Sequence, residues 1–238
     1  MTGFLVVAGW MISGVPAVAQ VFPAKVLDLS RWKLTLPEDT DHKGNPDEIS
    51  VTELQAFTHP QFFFVSHSGD AVVFRATCNG ATTKNSDYPR SELREMQADG
   101  RPAQWSTDDP ILHELNARIS ITGTPSVKQH VVCAQIHGGD DDVIKIRLEK
   151  KKLFVERDDE KDAVLDGDYQ LAAPFELRIT AGQGAVTVWY NGEQKLDTTI
   201  ATQSGCYFKA GCYTQSNSER AEPVDSAGEV MIHEITVR

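Results

Sequence analysis

Three short runs of this sequence carry the residue types that proton transfer and anion binding require. In Arg90-Ser91-Glu92-Leu93-Arg94 the charged residues occupy every second position. An extended chain therefore puts Arg90, Glu92 and Arg94 on one face, about 6.6 Å apart, with Leu93 opposite. Gln135-Ile136-His137 places an amide and an imidazole on either side of an apolar residue. In the run from Tyr207 to Gln215, Tyr207, Lys209, Tyr213 and Gln215 share one parity, and Phe208, Ala210 and Cys212 the other. A sheet face made of these polar residues is no core. It is a groove floor rich in donors, and His and Tyr are side chains that exchange protons in acid–base catalysis. Any one run alone is an ordinary solvated strand with cross-strand pairs. Their joint occurrence is what points to a site, and the residue types leave its reaction open.

The elements that must position these residues are strands. Trp32, Leu34 and Leu36 alternate with Lys33 and Thr35; Leu115 to Ile121 and Ile144 to Leu148 alternate in the same way, each giving a strand with one buried face. Val186 to Tyr190 runs into Asn191-Gly192, a pair that tolerates the positive φ of a type I′ hairpin turn. Met231 to Val237 reads as a closing strand. Helical periodicity is confined to Ser50–Phe57, where Ser50 and Glu53 can form a capping box. Glu38–Asp47 and Arg157–Asp168 are charged and read as surface loops. The expectation is an all-β fold, an antiparallel β-sandwich of jelly-roll type, with 20–238 as a single domain.

The 238 residues carry 23 Lys+Arg against 34 Asp+Glu, a formal charge of −11. That balance argues against a nucleic-acid partner, yet it leaves room for an anionic ligand, since a cleft can be locally basic on an acidic protein. The uncharged run Phe4–Ile12, followed by Ala17-Val18-Ala19, reads as a secretory signal peptide over residues 1–19. It is too short to span a bilayer, which takes about 20 apolar residues. The expectation is secretion, to the extracellular space or the periplasm, with no membrane partner and a monomer as the default. Four cysteines (Cys78, Cys133, Cys206 and Cys212) suit an exported chain with up to two disulfides, in any of three pairings. Cys206 and Cys212 can bridge only if the chain bends at Ala210-Gly211, because a straight strand holds them roughly 20 Å apart. Four buried free thiols are the alternative. No metal-ligand spacing is visible, and no cofactor is expected.

Tyr88-Pro89-Arg90-Ser91-Glu92-Leu93-Arg94-Glu95, Gln135-Ile136-His137 and Tyr207-Phe208-Lys209-Ala210-Gly211-Cys212-Tyr213-Thr214-Gln215 are similar to the three signature blocks of polysaccharide lyase family 7, the alginate lyases, in the family's order. Trp32–Pro37 and Thr82–Ser86 share the likeness, which runs from about Val26 to the C-terminus. The resemblance implies a jelly roll whose concave sheet binds alginate, a polymer of mannuronate and guluronate. It also implies β-elimination at the 4-O-glycosidic bond, leaving a 4,5-unsaturated uronate. Fixed donors suit that chemistry, since they neutralise the carboxylate and stabilise the enolate that forms when C5 loses its proton. On this resemblance Gln135 and one arginine neutralise the carboxylate, with Arg90 assigned that place and Arg94 a neighbouring sugar, a choice between the two that the residues leave open. His137 or Tyr213 takes the C5 proton, and Tyr213 protonates the leaving O4. Arg94, Tyr207, Lys209 and Gln215 bind neighbouring sugars, while Glu92, flanked by cations that depress its pKa, orients them. Ile136 between Gln135 and His137 goes, in the family, with activity on guluronate. The implied protein is a secreted, endolytic, guluronate-preferring lyase.

Two other classes compete. A glycoside hydrolase on the same sandwich needs two carboxylates roughly 5–9.5 Å apart, and the blocks offer only Glu92 and Glu95, of opposite strand parity. A non-catalytic carbohydrate-binding module would keep a basic groove but has no use for Gln135, His137 and Tyr213 together.

Overall fold

The computed structural model describes residues 21–139, 141–157 and 160–238, so the expected leader over residues 1–19 lies outside the described residues. Period-2 alternation becomes two antiparallel sheets. The eight-stranded sheet runs β10 (Ala163–Asp166), β9 (Lys152–Glu156), β8 (Asp142–Glu149), β7 (His130–His137), β14 (Tyr207–Tyr213), β5 (Arg90–Glu95), β1 (Trp32–Thr35) and β2 (Glu48–Ile49). The seven-stranded sheet runs β13 (Glu193–Thr199), β12 (Ala185–Tyr190), β11 (Phe175–Gly182), β6 (His113–Gly123), β15 (Ala227–Val237), β4 (Val72–Thr77) and β3 (Phe63–Val65). This is the jelly-roll sandwich that the alternation predicts.

One parity of each strand fills the space between the sheets. Leu93, Ile136, Phe208, Ala210 and Cys212 of the eight-stranded sheet join Phe74, Val230 and Ile232 of the other in one buried apolar cluster. Each large side chain so enclosed contributes about 1.5–3 kcal/mol. The opposite parity of β5, β7 and β14 faces outward, which is how a well-packed layer comes to carry a polar floor.

Local signals behave as their chemistry dictates. Ser50 and Glu53 form the reciprocal capping box of a short helix, α1 (Val51–Leu54), which stops three residues before Phe57. Asn191 and Gly192 adopt φ of 50° and 79° and join β12 to β13 in the expected hairpin.

Two expectations are corrected. Arg157–Asp168 is not all loop, because Ala163–Asp166 pairs with β9 as an edge strand. No disulfide forms: Cys78, Cys133, Cys206 and Cys212 are all free and buried. The bend that would bring Cys206 to Cys212 is absent, since Ala210 and Gly211 continue β14 in register with Leu93 and Glu92.

Candidate active site

Register builds the floor. Across β14 and β5, Lys209 stands opposite Arg94, Gly211 opposite Glu92 and Tyr213 opposite Arg90. On the other side of β14, Tyr207 faces His137 and Lys209 faces Gln135. β1 extends the same rows, with Lys33 beside Arg94 and Thr35 beside Glu92. Three strands distant in sequence thus deliver eight of the nine candidate side chains to one outer face.

The exception is Gln215. Strand β14 ends at Tyr213, the Thr214 hydroxyl sits against the Pro89 and Ser216 carbonyls, and Gln215 turns into the left-handed region (φ 51°). The alternation that would have aimed it at the groove is broken there. Gln215 is buried and does not line the cleft.

Glu92 is the hub. Its carboxylate accepts from Gln135 Nε2 at 2.5 Å, Lys209 Nζ at 2.7 Å and Arg90 Nη1 at 3.2 Å. Burial alone would raise this carboxyl, but the charges of Lys209 and Arg90 hold it below its ordinary value. The same burial pulls Lys209 down, against the pull of Glu92 upward. Gln135 is fully enclosed, with Oε1 unpartnered; an amide has two N–H donors, so one remains beyond the bond to Glu92.

The proton-transfer candidates are held by stacking. The guanidinium of Arg90 lies 3.8 Å from the Tyr213 ring centroid, and that of Arg94 lies 3.9 Å from Tyr207. Tyr207 in turn stacks on His137, centroids 5.2 Å apart and planes within 9°. His137 Nδ1 lies 2.5 Å from the Gly138 carbonyl. A carbonyl only accepts, so Nδ1 carries the hydrogen, and Nε2 is the nitrogen that holds the lone pair in the neutral ring. Asp142 lies 3.8 Å from that Nε2. The Tyr213 hydroxyl meets Ser86 Oγ at 2.9 Å.

Arg90, Arg94, His137, Tyr207, Lys209 and Tyr213 line a cleft of about 420 Å³, with Glu92 and Gln135 enclosed behind that lining. Lys33, Lys84, Arg90, Arg94 and Lys209 bring five cations to it, against the carboxylates of Glu48, Asp141 and Asp142. On a chain of charge −11 that is a local reversal of sign. The geometry can neutralise a carboxylate, accept a proton at His137 and give one from Tyr213.

The chain is similar to known proteins over most of its length. A family profile for alginate lyase matches residues 27–238. Among solved structures, the chain is 47% identical to the alginate lyase AlgAT5 of polysaccharide lyase family 7, with a TM-score of 0.87 over 92% of this chain and 98% of that one. The chain belongs to the alginate lyases of polysaccharide lyase family 7. It is 40% identical to an alginate lyase from Corynebacterium sp., with a TM-score of 0.86 over 91% of this chain and 97% of that one. It also resembles a variant of alginate lyase A1-II′, in which a histidine is changed to asparagine and a tyrosine to phenylalanine, in complex with substrate (GGMG). Identity there is 26% and TM-score 0.79, over 91% of this chain and 96% of that one.

Within this lyase the two carboxylates that the three blocks would offer a hydrolase do not pair across the cleft. Glu92 is saturated by three donors, and Glu95 points the other way, bonded to Trp105 Nε1 and the Phe208 amide. Sequence reasoning missed Lys33, Thr35, Ser86 and Asp142. Lys33 and Thr35 were readable, because they are the polar partners in the Trp32–Leu36 alternation. Ser86 lies in the Thr82–Ser86 run that shares the family likeness, but no periodicity marked it as a partner of Tyr213, and Asp142 reaches the site at a strand start. Asp39, Asp41 and Asp47 bring carboxylate oxygens within 4.8 Å of one another in the loop before β2, where they already accept from Thr40, Lys43 and Gly44. A second cleft, of about 380 Å³, on the seven-stranded sheet holds Arg178 over Trp189 but no His or Tyr.

Proposed function

We infer that this lyase cuts guluronate-containing alginate within the chain and is exported to do so, with His137 as base and Tyr213 as acid. The observation that carries the reading is the fixed tautomer of His137, whose Nδ1–H is committed to Gly138 and whose Nε2 is left to accept a proton. A uronate carboxylate entering the cleft meets Arg90 and Lys209, with Gln135 enclosed behind them on Glu92. Once its charge is neutralised, C5–H becomes acidic and Nε2 takes the proton. The electron pair passes into the carboxylate as an enolate, stabilised by the same preorganised donors. It then returns to form the C4=C5 double bond as the C4–O4 bond breaks, and the Tyr213 hydroxyl protonates O4. Arg90, stacked on Tyr213, suits the reacting carboxylate, while Arg94, stacked on Tyr207, suits a neighbouring sugar.

Guluronate and mannuronate present the C5 proton on opposite sugar faces, so a base distinct from Tyr213 supports guluronate cleavage. Ile136 is fully buried on the core side, so its link to epimer preference acts through the placement of its neighbours. Endolysis is supported by sugar-binding groups, Lys33 and Thr35 among them, that extend past the reacting pair.

The test is ultraviolet absorbance of unsaturated ends on separate poly-guluronate and poly-mannuronate. Wild-type protein should generate them, with viscosity falling early as internal cuts accumulate, and the exported chain should begin near Gln20. His137→Asn should lower poly-guluronate cleavage by about two orders of magnitude and poly-mannuronate cleavage less. Equal losses on both polymers would make His137 a neutralising group rather than the base. No unsaturated ends from either polymer would sink the reading.

A further inference from the structure

Past the ends of β5 and β14 a second group of side chains lies beside Tyr213. The Tyr88 ring centroid lies 6.2 Å from that of Tyr213, a separation that one pyranose unit bridges. Lys128 Nζ stands 5.1 Å over the Tyr88 ring, and Arg220 Nη2 lies 3.5 Å from its hydroxyl. Among the described residues neither cation forms an ion pair, while the acidic sequence neighbours Asp87 and Glu219 are exposed.

These cations come from separate segments that buried groups tie together. The enclosed carboxylate of Glu222 accepts from the Val127 and Lys128 amides at 3.0 and 2.9 Å, and from the Ser216 and Ser226 hydroxyls at 2.8 and 2.7 Å. It thereby pins the loop carrying Lys128 to the segment that follows β14. Asn217 bonds the Asp87 carbonyl at 3.0 Å and caps the short turn Ser218–Arg220. A platform so braced, with two unneutralised cations around a half-buried tyrosine, is complementary to one carboxylate-bearing sugar.

We propose that Tyr88, Lys128 and Arg220 form an outer subsite for a uronate unit of the alginate chain, beyond Tyr213. The proposal rests on the lyase reading and adds to it a length dependence: chains long enough to reach Tyr88 gain affinity that shorter ones do not. The contacts lie away from the reacting bond, so they act as uniform binding and appear in KM.

The experiment compares wild type with Lys128→Ala/Arg220→Ala on guluronate oligomers of increasing length and on polymer. Two charge contacts open to solvent, one half-buried and one exposed, predict a KM raised about two- to tenfold on the longest chains, a rise that shrinks as the oligomer shortens, and little change in kcat. Lys128→Arg/Arg220→Lys, which keeps both charges, should stay near wild type. A KM unchanged at every length overturns the subsite, and so does a rise of equal size at every length. Wild-type protein that forms no unsaturated ends condemns the functional reading instead. The melting temperature of the alanine variant should match wild type, because no ion pair is lost.

Discussion

Tyr213 keeps its ring under Arg90 and its hydroxyl beside Ser86, so Tyr213→Phe deletes one O–H and leaves the stack. Turnover should fall by about 10²–10⁴-fold, the usual share of a proton-transfer group, while KM for alginate moves little. Steady-state rates within threefold of wild type would reject the acid role. Glu92 gives a second, pH-linked expectation. Its folded carboxyl lies below its ordinary value despite burial, so its stabilisation is fully present above the unfolded pKa of about 4.3 and fades as pH falls through the lower folded value. Glu92→Gln should lose that acid-limb protection. Because it leaves Lys209 and Arg90 without their counter-ion, it should also cost about 3–5 kcal/mol at neutral pH. Denaturant melts of the two proteins at pH 7 and across the acid range check both, and coincident curves would remove Glu92 as the organising charge. At this scale the sequence showed side-chain chemistry and face well. It could not show that Glu92 would be enclosed by three donors, since those partners come from strands that meet only in the fold.

Strand β14 depends on Gly211. Its φ of 142° lies where only glycine is at ease, and a Cβ there would fall 2.5 Å from the Ser91 carbonyl and 2.9 Å from Glu92 Cα. The pairing of β14 with β7 shifts register between Ala210 and Tyr213, so this glycine sits where the chain is re-aimed between Lys209 and Tyr213. Gly211→Ala should destabilise by about 1–3 kcal/mol and depress kcat further than the stability loss explains, because Tyr213 moves with the backbone. Full activity in a folded variant would refute it. Strand β14 also marks the limit of pattern reading. Alternation placed Tyr207, Lys209 and Tyr213 correctly and failed two residues later at Gln215, where a left-handed residue resets the parity. The edge strand Ala163–Asp166 escaped for a different reason. It is short and embedded in charged sequence, and one paired side gives it little need for apolar alternation.

For the whole molecule the telling contrast is a cationic cleft in an anionic protein. Binding of a polyanion there should weaken with salt, as the screening length shrinks from about 30 Å at 0.01 M to about 3 Å at 1 M. KM on polymer should therefore rise steeply with added sodium chloride while kcat changes less. A KM indifferent to ionic strength would mean that the cleft's charges contribute little to capture. The sandwich class was legible, because period 2 dominates and helical period is nearly absent. The order of strands was not. β14 lies between β5 and β7, partners far back in the chain, and nothing local in any of the three specifies that meeting.

The enclosed sulfurs have a practical consequence. Burial pushes the Cys78 and Cys206 thiols up to about 11 and Cys133 to about 12, and the reactive form of cysteine is the thiolate. Folded, the protein therefore offers an electrophilic dye almost nothing to attack, in reducing buffer or out of it. One cysteine introduced at a solvent-facing position such as Val127, 56% exposed, would be the sole site of labelling. A fluorophore there, beside Lys128, would turn the arrival of a polysaccharide chain into an optical signal read in real time.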